Sequence, residues 1–167
     1  MENVVHAARL VKISPAITSG IGFALVAIYA FGSGAIMSNN SRIWYNNLNA
    51  PSWQPPDFIF GVIWPYNFIV LGISAYTVAN RLSVSMTITF LAIFAASIAC
   101  ALTWAYLFYH PHNLSGAATS LALVTLLTIP LLAITFRASL WVGLALIPYQ
   151  LWVATATALS FTYSKLN

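Results

Sequence analysis

The side chains with the most to offer chemically in this chain are aromatic, and their spacing groups them on shared helix faces. Phe60, Trp64 and Phe68 recur at i, i+4 and i+8, with Asn67 beside them as a polar handle. Residues at that spacing lie on one side of a helix. Tyr149, Trp152 and Ala156 recur at i, i+3 and i+7 next to Pro148, and Trp104 and Phe108 lie four apart. If these faces meet, they enclose an apolar, aromatic-walled cavity with few polar groups. Such a cavity suits a flat, largely hydrophobic ligand.

Acid–base chemistry has little to work with. The only acids are Glu2, near the chain end, and Asp57, whereas acid–base catalysis wants a second titratable group close to the first. Asp57 precedes an apolar helix and is placed to cap it, accepting backbone N–H bonds at the positive end of the helix dipole. Binding a cationic group or moving a proton is the functional alternative. His110 and His112 flank Pro111 in a turn with no Cys, Asp or Glu nearby, so a metal set is incomplete. They read as solvated turn residues, with a haem ligand as the alternative. No Ser-His-Asp set, Gly-rich phosphate loop or metal motif is present, and neither a metal nor an obligatory cofactor is expected. The single cysteine, Cys100, allows no intrachain disulfide and reads as a small packing residue.

The elements that hold these residues follow from composition. Of 167 residues, 60% are hydrophobic and only 5% charged, against about 25% charged in an average soluble domain. A soluble fold of this size would be apolar over nearly all its surface, which soluble monomers avoid. The chain is therefore expected to be an integral, multi-pass membrane protein. A span needs about 20 apolar residues. Candidates are Ala16 to Met37, Phe58 to Asn80, Ser83 to Tyr109, Leu114 to Phe136 and Leu140 to Tyr163. The long uncharged stretch from Leu82 to Phe136 is divided by His110-Pro111-His112-Asn113, a turn signal. In hydrocarbon every backbone group must be satisfied internally, so helices are the default, and alternating barrel strands are not visible. The expected fold is all-α: a five-transmembrane-helix bundle, one domain over residues 1–167, without internal repeats. The first apolar run reads as a retained helix rather than a signal peptide, because no clear small-residue cleavage site follows it. Pro65, Pro130 and Pro148 fall inside spans, where proline removes a helix hydrogen bond and kinks the helix.

Six basic residues stand singly. None forms the cluster that nucleic acid requires. Arg9, Lys12, Arg81 and Arg137 fall on one side of the expected bundle, and Arg42 and Lys165 on the other. The positive-inside rule then puts the N-terminus in the cytoplasm and the Trp44–Phe58 loop outside. Between Trp44 and Phe68 the chain concentrates three of its six tryptophans and four of its eight prolines. Prolines lower the entropy lost on ordering, so this Pro/Trp-rich loop between the first two spans reads as a stiff cover. An aromatic belt at headgroup level is the plain alternative for any one of its tryptophans.

Trp44-Tyr45, Leu48, Pro51, Trp53, Pro55-Pro56 and Trp64, followed later by Leu146-Ile147-Pro148-Tyr149-x-Leu151-Trp152 with Ala156 and Thr157, resemble the TspO/translocator protein family, once called the peripheral benzodiazepine receptor. The resemblance runs from the first span to Lys165, and length and span count agree. It implies a five-helix bundle that binds porphyrin and haem tetrapyrroles and, in animals, sterols and isoquinoline-type drugs. It implies that Tyr45, Trp53, Pro55, Trp64 and Phe68 line a pocket under the first loop, with Trp104 and Phe108 from the third span and Trp152 and Ala156 from the fifth. In bacterial members, tryptophans matching Trp64 and Trp152 are linked to light-dependent porphyrin breakdown. Family members often carry Asn early in the third span and Asp in the fourth, where this chain has Ser97 and Ser120. That removes the intramembrane carboxylate a proton- or cation-coupled role would use and leaves an apolar pocket intact. Pro65, directly after Trp64, also departs from the family pattern. The cholesterol-recognition pattern matches Leu159–Lys165 and again Leu71–Arg81, which shows how loose it is.

The third span is rich in small side chains, among them Ala92, Ala95, Ala96 and Ala99, which allow close helix approach. Bacterial members of the family dimerise through this helix, so the resemblance implies a homodimer. Taken together, the expectation is a binding protein for porphyrin, haem or sterol ligands. A porphyrin-degrading photo-oxidative enzyme using Trp64 and Trp152 is the first alternative. A transporter, short of intramembrane charge and repeats, is the second, and a ligand-free scaffold the last.

Overall fold

Pro15 follows the extended Ser14, whose hydroxyl accepts from the Ile17 amide at 3.3 Å. Proline at a first helical position gives up no bond, because that N–H has no intrahelical partner. This start opens a computed structural model that describes residues 14–167. Those residues form six helices: α1 (Pro15–Ile36), α2 (Asn39–Asn46), α3 (Asp57–Arg81), α4 (Val84–Tyr109), α5 (Leu114–Ala138) and α6 (Leu140–Leu166). All but α2 are long and apolar enough to cross a membrane. The five-span, all-α bundle expected from the sequence is what forms, with each span within a few residues of its expected bounds. Glu2, Arg9 and Lys12, the last two used in the orientation argument, lie outside the described residues.

Four of the long helices begin at a Ser or Asn whose side chain accepts from an amide three residues on: Ser14, Ser83, Asn113 and Ser139. α3 is the exception. Its N-cap is Pro56, which has no side-chain cap bond. Asp57, expected to cap this helix, is instead its first helical residue. From there the carboxylate still meets the helix dipole favourably. A further correction concerns Asn39–Asn46, read from sequence as polar connector and loop. It folds into a short helix capped by Ser38, which accepts from the Ser41 amide at 3.1 Å. The helices continue through Pro65, Pro130 and Pro148, and none ends at its proline.

Inside and outside of the spans are both apolar, so hydrophobic burial does not sort the helix faces; side-chain size and local polar bonding do. Phe31, Val62, Ile69, Leu126 and Trp141 point outward and stay exposed, as lipid-facing residues do. Inside, Leu71, Val78, Phe90, Phe94, Val124 and Leu131 form a closed core. α1 meets α3 closely at Gly22, where an added Cβ would fall 2.5 Å from that of Ala75. Buried hydroxyls bond to their own helices: Thr77 donates to the Ile73 carbonyl at 2.7 Å and Thr135 to that of Leu131 at 2.9 Å. Others stitch helices together. Ser120 donates to the Cys100 carbonyl at 2.8 Å, and the Thr125 and Thr157 hydroxyls lie 2.8 Å apart. Gln150 Nε2 donates to the Thr125 carbonyl at 3.1 Å. α5 packs along α4 and α6, α1 leans on α3 and α4, and α3 closes the bundle against α6.

The two ends of the bundle differ. At one, Arg81 donates to the Ala138 carbonyl at 3.5 Å, which joins the C-terminal ends of α3 and α5. At the other, the proline loop spans the gap from α2 to α3. The Asn49 amide donates to Asn167 Oδ1 at 2.8 Å, and Asn167 Nδ2 donates to the Asn49 carbonyl at 3.3 Å. Tyr163 adds a hydroxyl bond to Gln54 Oε1. The loop is thus clasped to the end of α6. On α4, Ala92, Ala96 and Ala99 are exposed and Ala95 is half-buried, forming an open strip of small side chains.

Candidate functional site

Beneath the clasped loop the helices part around a cavity of about 570 Å³, within the range of roughly 300–1,000 Å³ usual for small-molecule sites. α1 contributes Tyr29 and Ser33, and Met37 caps its C-terminal end; α3 contributes Asp57, Phe60 and Trp64. Trp104 and Phe108 come from α4, and Trp152 and Ala156 from α6. The three aromatic faces predicted to converge do so.

Ring geometry keeps the space open. Phe60 meets Trp152 edge to face, with centroids 5.1 Å apart and planes at 80°. Tyr29 stands edge-on to Trp64 at 5.8 Å and to Phe68 at 5.4 Å. Trp64 and Phe68 stack at 5.7 Å. Edge-to-face pairs at such separations are favourable contacts. They brace the rings against one another instead of letting them fall inward. Ala101, Ala105 and Ala156 lie in the wall between them and give the cavity its depth.

Of the residues expected to line the site, Tyr45, Phe60, Trp64, Trp104, Phe108, Trp152 and Ala156 do. Trp53, Pro55, Phe68 and Tyr149 do not. Trp53 is largely exposed in the loop. Pro55 is part of the covering loop and only half-buried. Phe68, one turn beyond Trp64, packs on the core and supports Trp64 from behind. Tyr149 is 1% exposed within the core, one turn away from the wall that Trp152 and Val153 form. Asn67, the expected polar handle, is fully buried and also off the wall. Phe68, Asn67 and Tyr149 are displaced for one reason: a helix face covers more turns than the cavity is tall.

Other wall residues escaped the sequence reading. Tyr29 and Ser33 belong to a span whose inward face no periodicity reveals. Ala101 and Ala105 interleave with Trp104 and Phe108, and that small–large alternation was a usable signal. Tyr163, Tyr109 and Arg42 also reach the wall, and Asp57 does so because it does not fold back as a cap.

Four polar side chains at the wall have hydrogen-bond partners in the protein. Trp104 Nε1 donates to Ser160 Oγ at 3.2 Å, and the Tyr163 and Tyr45 hydroxyls lie 3.2 Å apart. The Trp152 indole N–H is fully buried without a protein partner among the described residues. A buried donor left unpaired costs about 1–3 kcal/mol. Among the described residues no three His, Cys, Asp or Glu side chains come together as a metal set. His112, in the left-handed region at φ 54°, stacks on Trp44 at 3.8 Å, and His110 stacks on Tyr106 at 5.2 Å. Ser97 and Ser120, where the resemblance implies Asn and Asp, bond to the backbone carbonyls of Phe94 and Cys100 and stay off the wall.

The family model for TspO/MBR matches residues 21–166. The chain belongs to the TspO/MBR family. It is 33% identical over 139 residues to Protein CrtK of Rhodobacter capsulatus, covering 83% of this chain and 86% of that protein. It is 29% identical over 138 residues to the Tryptophan-rich sensory protein of Cereibacter sphaeroides, covering 81% and 82%. To the human Translocator protein it is 23% identical over 151 residues, covering 89% of each. The TspO/MBR match takes in every wall residue of the cavity and all but the start of α1.

Proposed function

We propose that this membrane protein binds flat, largely apolar ligands of the porphyrin and haem class in the aromatic cavity, with sterols as a secondary class. The observation that carries the reading is the convergence of Phe60, Trp64, Trp104, Phe108 and Trp152 on one cavity. Rings on opposing walls can hold a planar macrocycle by its faces, and the free Trp152 N–H offers one directional bond to a ligand acceptor. Among the described residues the wall holds no histidine or cysteine, so ring contacts, rather than an iron–imidazole or iron–thiolate bond, would hold a haem. By sequence, Arg9 and Lys12 before the first span, with Arg81 and Arg137, outnumber Arg42 and Lys165 at the mouth end four to two, so the positive-inside rule puts the mouth on the outer face of the membrane. The open small-residue strip of α4 supports a homodimer, because small side chains let two helices approach closely.

The test is quenching of intrinsic fluorescence by protoporphyrin, with the full chain in nanodiscs. Saturable binding is expected, weakened at least about tenfold, or about 1.4 kcal/mol, by Trp64→Ala and by Trp152→Ala. Unchanged affinity in both variants would overturn the reading. Light-dependent porphyrin breakdown is a second reading, favoured by the presence of both Trp64 and Trp152 in the wall. It expects the porphyrin absorption band to bleach under light and oxygen with the native protein and to persist with Trp64→Phe. Equal bleaching with an unrelated membrane protein rejects it.

A further inference from the structure

The cavity wall is apolar over most of its height, yet its lining includes one cation and one anion, Arg42 and Asp57. Among the described residues no other charged side chain reaches it. Both come from the segments at the mouth: Arg42 from α2, and Asp57 from the first turn of α3. Several of the other polar groups there are already engaged. Tyr163 bonds to Gln54 and faces Tyr45, and the indole of Trp104 donates to Ser160. Arg42 is exposed, and its guanidinium makes no hydrogen bond or ion pair with any described residue.

The two charges are not equivalent. Asp57 sits at the positive end of α3, where the amides of the first turn offset its charge. Arg42 lies within α2, a helix that contains no acid. The mouth is therefore electropositive on the α2 side, directly above a wall of aromatic rings. A guanidinium presents a planar fork of donors that matches a carboxylate.

We propose that Arg42 anchors a carboxylate on the edge of the ligand, so that the cavity selects flat apolar molecules with an anionic edge over their neutral counterparts. The ring system enters the aromatic space while the carboxylate stays at the mouth, where its hydration is only partly lost. Asp57 repels the same group and sets which edge of the mouth it occupies. This rests on the ring-binding reading above but adds a charge requirement which that reading does not contain.

The test uses the full chain in phosphatidylcholine nanodiscs and two pairs of probes. One pair is protoporphyrin and its dimethyl ester; the other is pyrenebutyrate and its methyl ester. Arg42→Gln is expected to weaken both acids about tenfold, the scale of one charge-assisted hydrogen bond, and to leave both esters within about twofold. Asp57→Asn is expected to act in the opposite direction and tighten the acids. Lys165→Gln, a cation at the same end of the bundle but off the wall, is expected to change nothing. Equal loss for acid and ester would show that Arg42 only shapes the mouth, and would overturn the anchor. No loss for either acid would do the same, as expected if Arg42 is held by lipid phosphate. So would an equal effect of Lys165→Gln, which marks a general surface field, or failure of all four probes to bind. The two readings fail separately. Porphyrin binding indifferent to Arg42 removes the anchor alone, whereas Arg42-dependent pyrenebutyrate binding without porphyrin binding removes the tetrapyrrole reading alone.

Discussion

The same helices build a closed lower half and a hollow upper half. Below, α3, α4 and α5 interlock through Leu71, Val78, Phe90, Phe94, Val124 and Leu131, and Gly22 lets α1 approach the Ala75 backbone. Above, α3 carries Trp64, α4 carries Trp104 and Phe108, and α6 carries Trp152 around a cavity of about 570 Å³. Hydrophobicity does not distinguish the halves; shape does. Leu71, Val78, Val124 and Leu131 interdigitate with the tilted rings of Phe90 and Phe94 at close-packed density. Large rigid rings that brace one another edge to face cannot, especially with alanines between them. In a membrane, where apolar burial hardly favours one packed arrangement over another, this difference in shape is enough to separate a structural half from a binding half.

The contrast is open to attack, beginning with the largest effect. Leu71→Ala or Phe94→Ala in the closed half is expected to cost about 2–5 kcal/mol of stability. Phe60→Ala, opening onto space already present, is expected to cost under about 1 kcal/mol. Denaturant unfolding in mixed micelles compares them, and equal losses would erase the distinction between halves. Gly22→Ala is expected to cost about 1–3 kcal/mol by forcing α1 from α3, with porphyrin affinity changed far less than stability. Ala105→Phe should show the reverse pattern. It fills the cavity and lowers porphyrin affinity at least about tenfold, or about 1.4 kcal/mol, while the unfolding midpoint stays near the native value; retained affinity would place the ligand elsewhere. The smallest effect belongs to the lid. Asn167→Ala removes the clasp on Asn49 at a cost of about 1 kcal/mol. It is expected to appear as faster porphyrin release in stopped-flow traces rather than as lost equilibrium affinity, and an unchanged release rate would show that the loop does not gate the cavity.

Much of this was legible in the residues. The near absence of charge and the punctuation by Arg81, Pro111 and Arg137 located the spans, because a helix in hydrocarbon must be long, apolar and uninterrupted by ionised groups. The i, i+4 spacing of Phe60 and Trp64, and of Trp104 and Phe108, put each pair on one face, and those faces do meet. Where the reading slipped, the cause was depth. Phe68 and Tyr149 share faces with cavity residues but lie a turn too far along, and periodicity says which side a residue faces without saying how far the space extends. Asp57 slipped for a local reason: Pro56 took the cap position and left the carboxylate free to line the mouth.

Composition and spacing by themselves determined a membrane bundle of five helices and the aromatic faces it would turn inward, since lipid permits few folds and helix geometry is regular. Only the tertiary structure decided that Tyr29 of α1 and Tyr163 of α6 join that wall, that Asn167 clasps the loop, and that Arg42 and Asp57 share the mouth. These are contacts between residues distant in the chain. They depend on where whole helices come to rest against one another, and no local pattern encodes that.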